Sequence, residues 1–133
     1  MSSQALFLTL EQILTTHTDQ IERYGGSHGL RDLGLLESAV YRPGSTFAGE
    51  DLYPSIFDKA ASLVHSLLLN HPFVDGNKRT AVTSMILFLE MNDQNFISAE
   101  KEIIEFALWV ENKKPSVGKI AQWIKKYSAR LKF

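Results

Sequence analysis

The sequence predicts an all-α fold, and three observations point to that class. Apolar residues recur at helical spacing in several segments, and residues that cap or break helices separate these segments. Strand-like alternation is confined to residues 45–53. The chain has 133 residues with 44% hydrophobic and 22% charged residues, which is the size and composition of one globular domain. We therefore expect a single domain, residues 1–133, built from about six helices.

Most of the predicted helices begin at a residue that suits a helix N-terminus. Capping side chains accept hydrogen bonds from free N–H groups of the first turn, and proline has no backbone N–H that needs a partner. These residues are Thr9 (with Gln12, a capping box), Asp32, Pro54, Ser98 and Ser116. Proline, glycine or asparagine follows several of the helices and ends them. The predicted helices cover residues 10–23, 33–41, 54–70, 77–91, 99–111 and 117–131. Residues 24–29 carry three glycines and form a loop, and residues 45–52 form a second loop or an extended flap.

Composition excludes several classes of protein. A net charge of −1 argues against a general nucleic-acid binder or a polybasic membrane protein. The absence of cysteine excludes disulfides, thiolate chemistry and zinc–sulfur sites. No apolar run reaches membrane-spanning length, and the N-terminus lacks the basic start and apolar core of a signal peptide. We expect a cytoplasmic protein.

The most informative stretch is His-Pro-Phe-Val-Asp-Gly-Asn-Lys-Arg, residues 71–79. It places an imidazole, a carboxylate, an amide, an ammonium and a guanidinium between two strongly apolar segments. Solubility alone does not explain so many polar groups between two core-forming helices. The pattern predicts a helix–loop–helix site for a polyanion, with a base and a metal ligand beside it.

Four consecutive residues are suited to bind phosphate. A loop entering a helix at Asn77 presents free backbone N–H groups at the positive end of the helix dipole. Gly76 lacks a Cβ, so an anion could approach the backbone closely. The Lys78 ammonium adds a point charge, and the Arg79 guanidinium can donate two parallel hydrogen bonds to phosphate oxygens. Asn77 itself could bond phosphate oxygens or orient the loop.

Two further residues supply chemistry. Asp75 is an oxygen ligand suited to Mg²⁺, which usually binds one or two carboxylates together with substrate phosphates. His71 could accept a hydroxyl proton near neutral pH. Together with the phosphate-binding residues they predict phosphoryl or nucleotidyl transfer to a hydroxyl, where positioning and charge stabilisation do most of the work.

Structural explanations compete with each of these assignments. A histidine before proline often just ends a helix, and Asp-Gly-Asn alone is usually a turn. Phe73 is expected to anchor the loop in the core. His65 is expected to be a half-buried histidine with a hydrogen-bond partner rather than a second catalytic group. Other aromatic and imidazole side chains carry no functional signal in the sequence; they are His17, His28, Trp109 and Trp123.

The same stretch resembles the Fic/Doc family signature HxFx(D/E)GNxR at every fixed position. Lysine before the final arginine, followed by Thr-Ala, is similar to the Doc (death-on-curing) branch in particular. The resemblance covers about residues 8–95. It extends upstream through segments that are also similar to Doc-type sequence, namely residues 23–26, 29–32, 36–39 and 53–61.

The resemblance implies a Fic fold, with the loop between two central helices and with ATP and Mg²⁺ as co-substrates. It implies that His71 is the general base on a target hydroxyl and that Asp75 holds Mg²⁺. Gly76, Asn77, Lys78 and Arg79 would then form the phosphate nest. Residues 45–52 would be a flap that docks a segment of the target protein.

Lys78 bears on which group is transferred. AMP-transferring family members resemble HPFxxGNGR, with glycine at this position, whereas Doc-type proteins have lysine and are thought to present the γ-phosphate of ATP. The implied activity is a protein kinase that phosphorylates a threonine of elongation factor Tu and halts translation. Gly76 is similar to the AMP-transferring members, so AMP transfer to a protein hydroxyl remains an alternative. A non-catalytic domain that binds nucleotide or partners is another.

Inhibition is expected to come from a second protein. The self-inhibitory helix of the family resembles [S/T]xxxE[G/N], and three segments of this chain approach it but fail at the last position. These segments are residues 18–23, 46–51 and 98–103. The resemblance therefore implies a trans-acting antitoxin whose C-terminal segment folds into a groove on the domain.

Overall fold

The computed structural model describes residues 4–130 and confirms an all-α fold. Within that range it contains six α-helices, a 3-10 turn at Arg42–Gly44 and two small antiparallel sheets. The helices are α1 (Leu10–Tyr24), α2 (Leu33–Tyr41), α3 (Ile56–Asn70), α4 (Asn77–Met91), α5 (Glu100–Lys113) and α6 (Val117–Lys126). The strands are β1 (Thr46–Phe47), β2 (Glu50–Asp51), β3 (Gln94–Phe96) and β4 (Ser128–Arg130). Over the same residues no helix combines the length and apolar character needed to cross a bilayer.

Helix α3 is the centre of the molecule. Nine of its fifteen residues are buried, and it packs against α4 and α6 most extensively, with α2 and α5 on its flanks. Apolar side chains on most of its circumference explain this position, because a helix that is apolar nearly all round must be covered on every side. Helix α4 follows after only six residues, so the intervening loop is fixed at both ends by core helices.

The N-terminal caps of α1 and α2 lie at the residues that the sequence predicts. Thr9 and Gln12 form the predicted reciprocal capping box, and the Asp32 side chain accepts from the N–H of Leu35. The predicted start of α3 at Pro54 is wrong, because Ser55 and Asp58 form a capping box one residue later. Proline has no N–H to donate and precedes this cap.

The two C-terminal helices differ from the prediction at their ends. Helix α5 begins at Glu100 with Ala99 as its N-cap, so Ser98 is not the cap; the Ala99 N–H bonds the Glu102 carboxylate instead. Helix α6 does begin after Ser116 as predicted, but ends at Lys126. The predicted end, Leu131, lies outside the described residues.

A pair of short strands explains the early end of α6. Strand β4 follows that helix and pairs antiparallel with β3, which the sequence analysis did not predict. Phe96 on β3 packs beside Trp123 and Tyr127 near this junction. Three-residue strands carry too short an alternation to be recognised, and their pairing joins segments about thirty residues apart.

Candidate active site

The candidate site is the motif loop, residues 71–76, together with the first turn of α4. His71 is the C-cap of α3 with left-handed backbone angles (φ 48°, ψ 62°), so the chain turns sharply out of that helix. Gly76 is the N-cap of α4 and is also left-handed (φ 74°). The loop cavity, lined by His71 and residues 74–79, has a volume of about 420 Å³. The structure thus brings all six predicted site residues to one cavity.

Phe73 and Asn77 fix the shape of the loop from within. The Phe73 side chain is 2% exposed and anchors the loop in the core, as expected. The Asn77 side chain accepts from the Phe73 N–H at 3.0 Å and donates to the Phe73 carbonyl at 2.9 Å. Because both polar atoms of its amide bond the Phe73 backbone, Asn77 orients the loop, which is one of the two roles that the sequence predicts for it.

The loop between α1 and α2, residues 25–32, braces the motif loop from outside. The Val74 N–H donates to the Gly29 carbonyl at 3.0 Å, and the Arg31 N–H donates to the Pro72 carbonyl at 2.8 Å. The Arg31 guanidinium also bonds the carbonyls of Asn70 and His71, both at 2.6 Å. A cation on the last carbonyls of α3 offsets the negative end of the helix dipole. Arg31 therefore holds the backbone of His71 while leaving its imidazole exposed.

The carboxylate of Asp75 is held by two backbone N–H groups. Ser27 donates to Oδ2 at 3.0 Å and Gly76 to Oδ1 at 2.8 Å. These bonds lower the pKa of Asp75 below its ordinary value, and Arg79 and His17 lower it further. Stabilising the charged form keeps Asp75 ionised to lower pH than a free aspartate, which suits an oxygen ligand for a cation.

His17 on α1 is part of the site, although the sequence analysis assigned it no partner. It is 4% exposed, and its Nε2 donates to the Asp75 carbonyl at 2.8 Å. Its ring stacks on Phe73 with centroids 3.9 Å apart and planes 5° apart. The available signal was its spacing: His17 lies four residues from both Ile13 and Ile21, on the buried face of α1.

The two cations of the loop have different environments. Arg79 donates to the Gly25 carbonyl at 2.8 Å, and its guanidinium lies over the Tyr24 ring, 5.6 Å from the centroid. The Lys78 ammonium is 3.5 Å from Oε1 of Glu111 on α5, a loose ion pair. That oxygen is buried without a hydrogen bond, so Lys78 is its nearest compensating charge. Nothing in the local sequence indicated Glu111.

The residues present fit a Mg²⁺–nucleotide. Among residues 4–130 no three His, Cys, Asp or Glu side chains cluster as a metal site, and Asp75 is the carboxylate that lines the loop cavity. Mg²⁺ commonly takes one carboxylate and completes its shell with substrate phosphates and water. Each Asp75 oxygen accepts one N–H and keeps a free lone pair for a cation.

Gly76 is required for reasons internal to the protein. A Cβ at this position would lie 2.9 Å from Cδ1 of Ile21, and the left-handed φ disfavours any side chain. Loop packing therefore demands glycine here, independently of the anion approach that the sequence predicts.

The remaining histidines lie outside the cavity. His65 is half-buried, and its Nδ1 accepts from Arg42 at 2.9 Å, which confirms the expected structural role. Burial lowers the pKa of His65, and the Arg42 charge lowers it further. His28 pairs with Glu22 at 3.2 Å on the surface. Trp109 and Trp123 pack against the core.

Comparisons with known proteins identify the family of the chain. Residues 7–89, well over half of the chain, match the model of the Fic/DOC family. The chain is 46% identical over 86 residues to "Toxin Doc" of Mycolicibacterium smegmatis, covering 65% of this chain and 64% of that protein. It is 35% identical over 82 residues to "Protein kinase doc" of Escherichia phage P1, covering 62% and 64%. The alignments thus span a little under two thirds of these relatives. The family match contains the whole motif loop and its bracing residues, and the chain belongs to the Fic/DOC family.

Proposed function

We propose that the chain is a Doc-type toxin that transfers the γ-phosphate of ATP to a threonine hydroxyl of a protein target. The observation that carries the proposal is the loop cavity itself. One cavity is lined by a potential base, His71, a carboxylate, Asp75, and two cations, Lys78 and Arg79. The names of the relatives, a toxin and a protein kinase, support the same assignment.

The proposed reaction uses each of these groups once. His71 accepts the proton of the threonine hydroxyl while the threonine oxygen forms a bond to the γ-phosphorus. The bond between the γ-phosphorus and the oxygen that bridges it to the β-phosphate breaks, and ADP leaves. Arg79 and Lys78 stabilise charge on the phosphate oxygens, and the N–H groups of the first turn of α4 add to this. Asp75 would hold Mg²⁺, which neutralises phosphate charge when bound.

The β1–β2 hairpin is the proposed docking element for the target. Its four strand residues are exposed, and Phe47 presents an apolar side chain that is 75% exposed. An extended target segment could pair with such an edge. We propose elongation factor Tu in the cytoplasm as the target, arrest of translation as the consequence, and an antitoxin acting in trans as the restraint.

AMP transfer is the second candidate. It is favoured by the position of Lys78, whose ammonium lies 3.5 Å from Oε1 of Glu111 on α5. Such a lysine leaves space along the loop for a diphosphate, as glycine does in AMP-transferring family members. A non-catalytic binding domain is the third candidate. Such a domain would not require an exposed imidazole on a backbone that Arg31 holds in place.

Transfer of radiolabel to elongation factor Tu separates the candidates. With Mg²⁺ present, label from γ-labelled ATP but not from α-labelled ATP should appear on the target. His71→Ala should abolish transfer, because no other imidazole lines the cavity, whereas His28→Ala changes an exposed histidine outside it and should have no effect. Label from α-labelled ATP would favour AMP transfer. Full activity of His71→Ala would overturn the catalytic assignment.

A further inference from the structure

His17 lies beneath the motif loop, although it belongs to α1. Its imidazole stacks on the Phe73 ring, and its Nε2 lies 2.8 Å from the carbonyl oxygen of Asp75. A Cβ built on Gly76 would lie only 3.7 Å from the same nitrogen. His17 is 4% exposed and does not line the loop cavity, so it meets the loop from the core side. Any contribution of His17 to function must therefore act through the loop.

The peptide group between Asp75 and Gly76 is held at both of its polar atoms. Its carbonyl oxygen can only accept, so the Nε2 of His17 must carry a proton and donate it. Its N–H, which belongs to Gly76, donates to Oδ1 of Asp75 at 2.8 Å. The carbonyl is thus directed into the core, while the N–H on the opposite side of the same plane holds the carboxylate. Both hydrogen bonds require one orientation of this peptide plane.

The backbone alone does not fix this orientation. Turning the peptide plane over changes ψ of Asp75 and φ of Gly76, and glycine accepts either sign of φ at little steric cost. The reversed plane would direct the Asp75 carbonyl oxygen out of the core, towards the cavity that both residues line. It would also take the Gly76 N–H away from the carboxylate. A carbonyl oxygen beside bound phosphates would repel them, so only one of the two orientations suits the site.

We propose that His17 is a positioning residue, which locks the Asp75–Gly76 peptide group in the orientation that a Mg²⁺–nucleotide requires. The inference rests on the proposed function, since it takes Mg²⁺ and phosphate as the ligands of the loop. The lock keeps the carbonyl oxygen of Asp75 away from the phosphates, and it keeps the carboxylate bonded to Gly76 before the ion arrives. Because these groups are ordered during folding, their ordering does not weaken binding.

Stacking on Phe73 fixes the direction in which His17 donates. The planes of the two rings are 5° apart, and the Phe73 backbone is itself bonded to Asn77. An imidazole combines a flat apolar face with an N–H in the ring plane, so it can stack and donate at once. Phenylalanine has the flat face without the N–H, and glutamine has an N–H without the flat face. Substitution of His17 by these two residues therefore separates stacking from hydrogen bonding.

Hydrogen exchange of the Gly76 N–H, measured by NMR on the full chain, tests the lock without nucleotide. His17→Phe should quicken this exchange about three- to tenfold, since the net contribution of one hydrogen bond changes an equilibrium by roughly that factor. His17→Gln restores a donor and should exchange as the wild type does. Ile13→Val is the matched control for lost packing, because Ile13 is buried on the same face of α1, and it should leave the exchange unchanged.

Titration calorimetry with Mg²⁺–ATP tests the consequence for binding. His17→Phe should weaken binding about three- to tenfold, because the flipped peptide group must first turn back, whereas His17→Gln and Ile13→Val should bind as the wild type does. Wild-type exchange and affinity in His17→Phe would contradict the proposal. Equal losses in His17→Phe and His17→Gln would contradict it too, because the ring and not the hydrogen bond would then matter.

The wild-type protein gives a second readout that does not depend on a variant that folds. Long-range ¹H–¹⁵N NMR spectra of the 15.0 kDa chain should show a proton on Nε2 of His17. A ring protonated on Nδ1 alone would contradict the proposal, because that tautomer cannot donate to the Asp75 carbonyl. A wild-type protein that binds no Mg²⁺–ATP would overturn the proposed function instead, and the exchange of the Gly76 N–H would still decide whether His17 locks the peptide group.

Discussion

At the scale of single residues, the loop cavity depends on close contacts that leave no space for a side chain. Gly26 has φ +113°, and a Cβ there would lie 2.7 Å from Oδ2 of Asp75. Ser27 donates to the same oxygen, so the backbone at residues 26–27 approaches the carboxylate directly. Asp75 is thus positioned by a glycine 49 residues earlier in the chain.

Gly26→Ala should disturb Asp75 more than backbone strain alone would. The matched control is Gly25→Ala, because Gly25 is also left-handed (φ +86°) but a Cβ there meets nothing within 4 Å. Both variants carry a strain cost of about 1 kcal/mol or more. We expect Gly26→Ala to lose about 1–2 kcal/mol more free energy of unfolding in urea denaturation, since the carboxylate must also move. Equal losses in the two variants would show that the contact with Asp75 is unimportant.

The chemistry-bearing residues could be predicted because they are consecutive in the chain, whereas their partners could not. His71, Asp75 and Arg79 fall within nine positions and have a recognisable pattern. His17 and Glu111 come from α1 and α5, and their roles depend on how those helices pack. No local pattern distinguishes His17 from an ordinary core histidine. Its role is visible only in the fold, where Phe73 and the Asp75 carbonyl lie beside it.

At the scale of secondary-structure elements, the β1–β2 hairpin is attached to the core through a buried lysine. Lys59 on α3 is 4% exposed, and its ammonium bonds Asp51 at 3.0 Å as well as the Tyr53 carbonyl. Arg42 donates to the Tyr53 hydroxyl at 2.9 Å. Because an unpaired buried charge is costly, these contacts hold the end of an otherwise exposed hairpin against α3.

Asp51→Ala should loosen the hairpin without affecting nucleotide binding. It removes one partner of the buried ammonium, so hydrogen exchange of the Leu52 N–H, which bonds the Ser45 carbonyl at 2.9 Å, should quicken about three- to tenfold. If the hairpin docks the target, KM for the protein target should rise while the affinity for ATP stays constant. Glu50→Ala, an exposed neighbour on the same strand, is the control. Unchanged exchange in Asp51→Ala would contradict the anchoring role of Lys59.

Helices could be predicted closely and short strands could not, for a physical reason. The bounds of α2 and α4 follow from adjacent signals, a cap at Asp32 and the Gly76-Asn77 junction, whose effects are local. Strands β3 and β4 are defined by pairing with each other across two helices. The predicted start of α3 is wrong because Pro54 and Ser55 both suit a helix N-terminus. Only the reciprocal hydrogen bonds between Ser55 and Asp58 show that Ser55 is the N-cap.

At the scale of the whole molecule, the fold places one polar loop between two core helices and closes it from three directions. Helices α3 and α4 fix its ends, α1 supplies His17 beneath it, and the 25–32 loop lies across it. The exposed imidazole of His71 is therefore carried on a backbone with little freedom. Catalysis by positioning needs this arrangement, because the free energy of ordering the site is spent during folding.

In the proposed function, this rigid loop presents the γ-phosphate of ATP to a protein hydroxyl. The most direct measurement is the intact mass of purified elongation factor Tu after incubation with the protein, ATP and Mg²⁺. We expect a gain of one phosphoryl group, absent with His71→Ala. A gain of one AMP group would contradict γ-phosphate transfer. No gain with wild-type protein would contradict phosphorylation of this target.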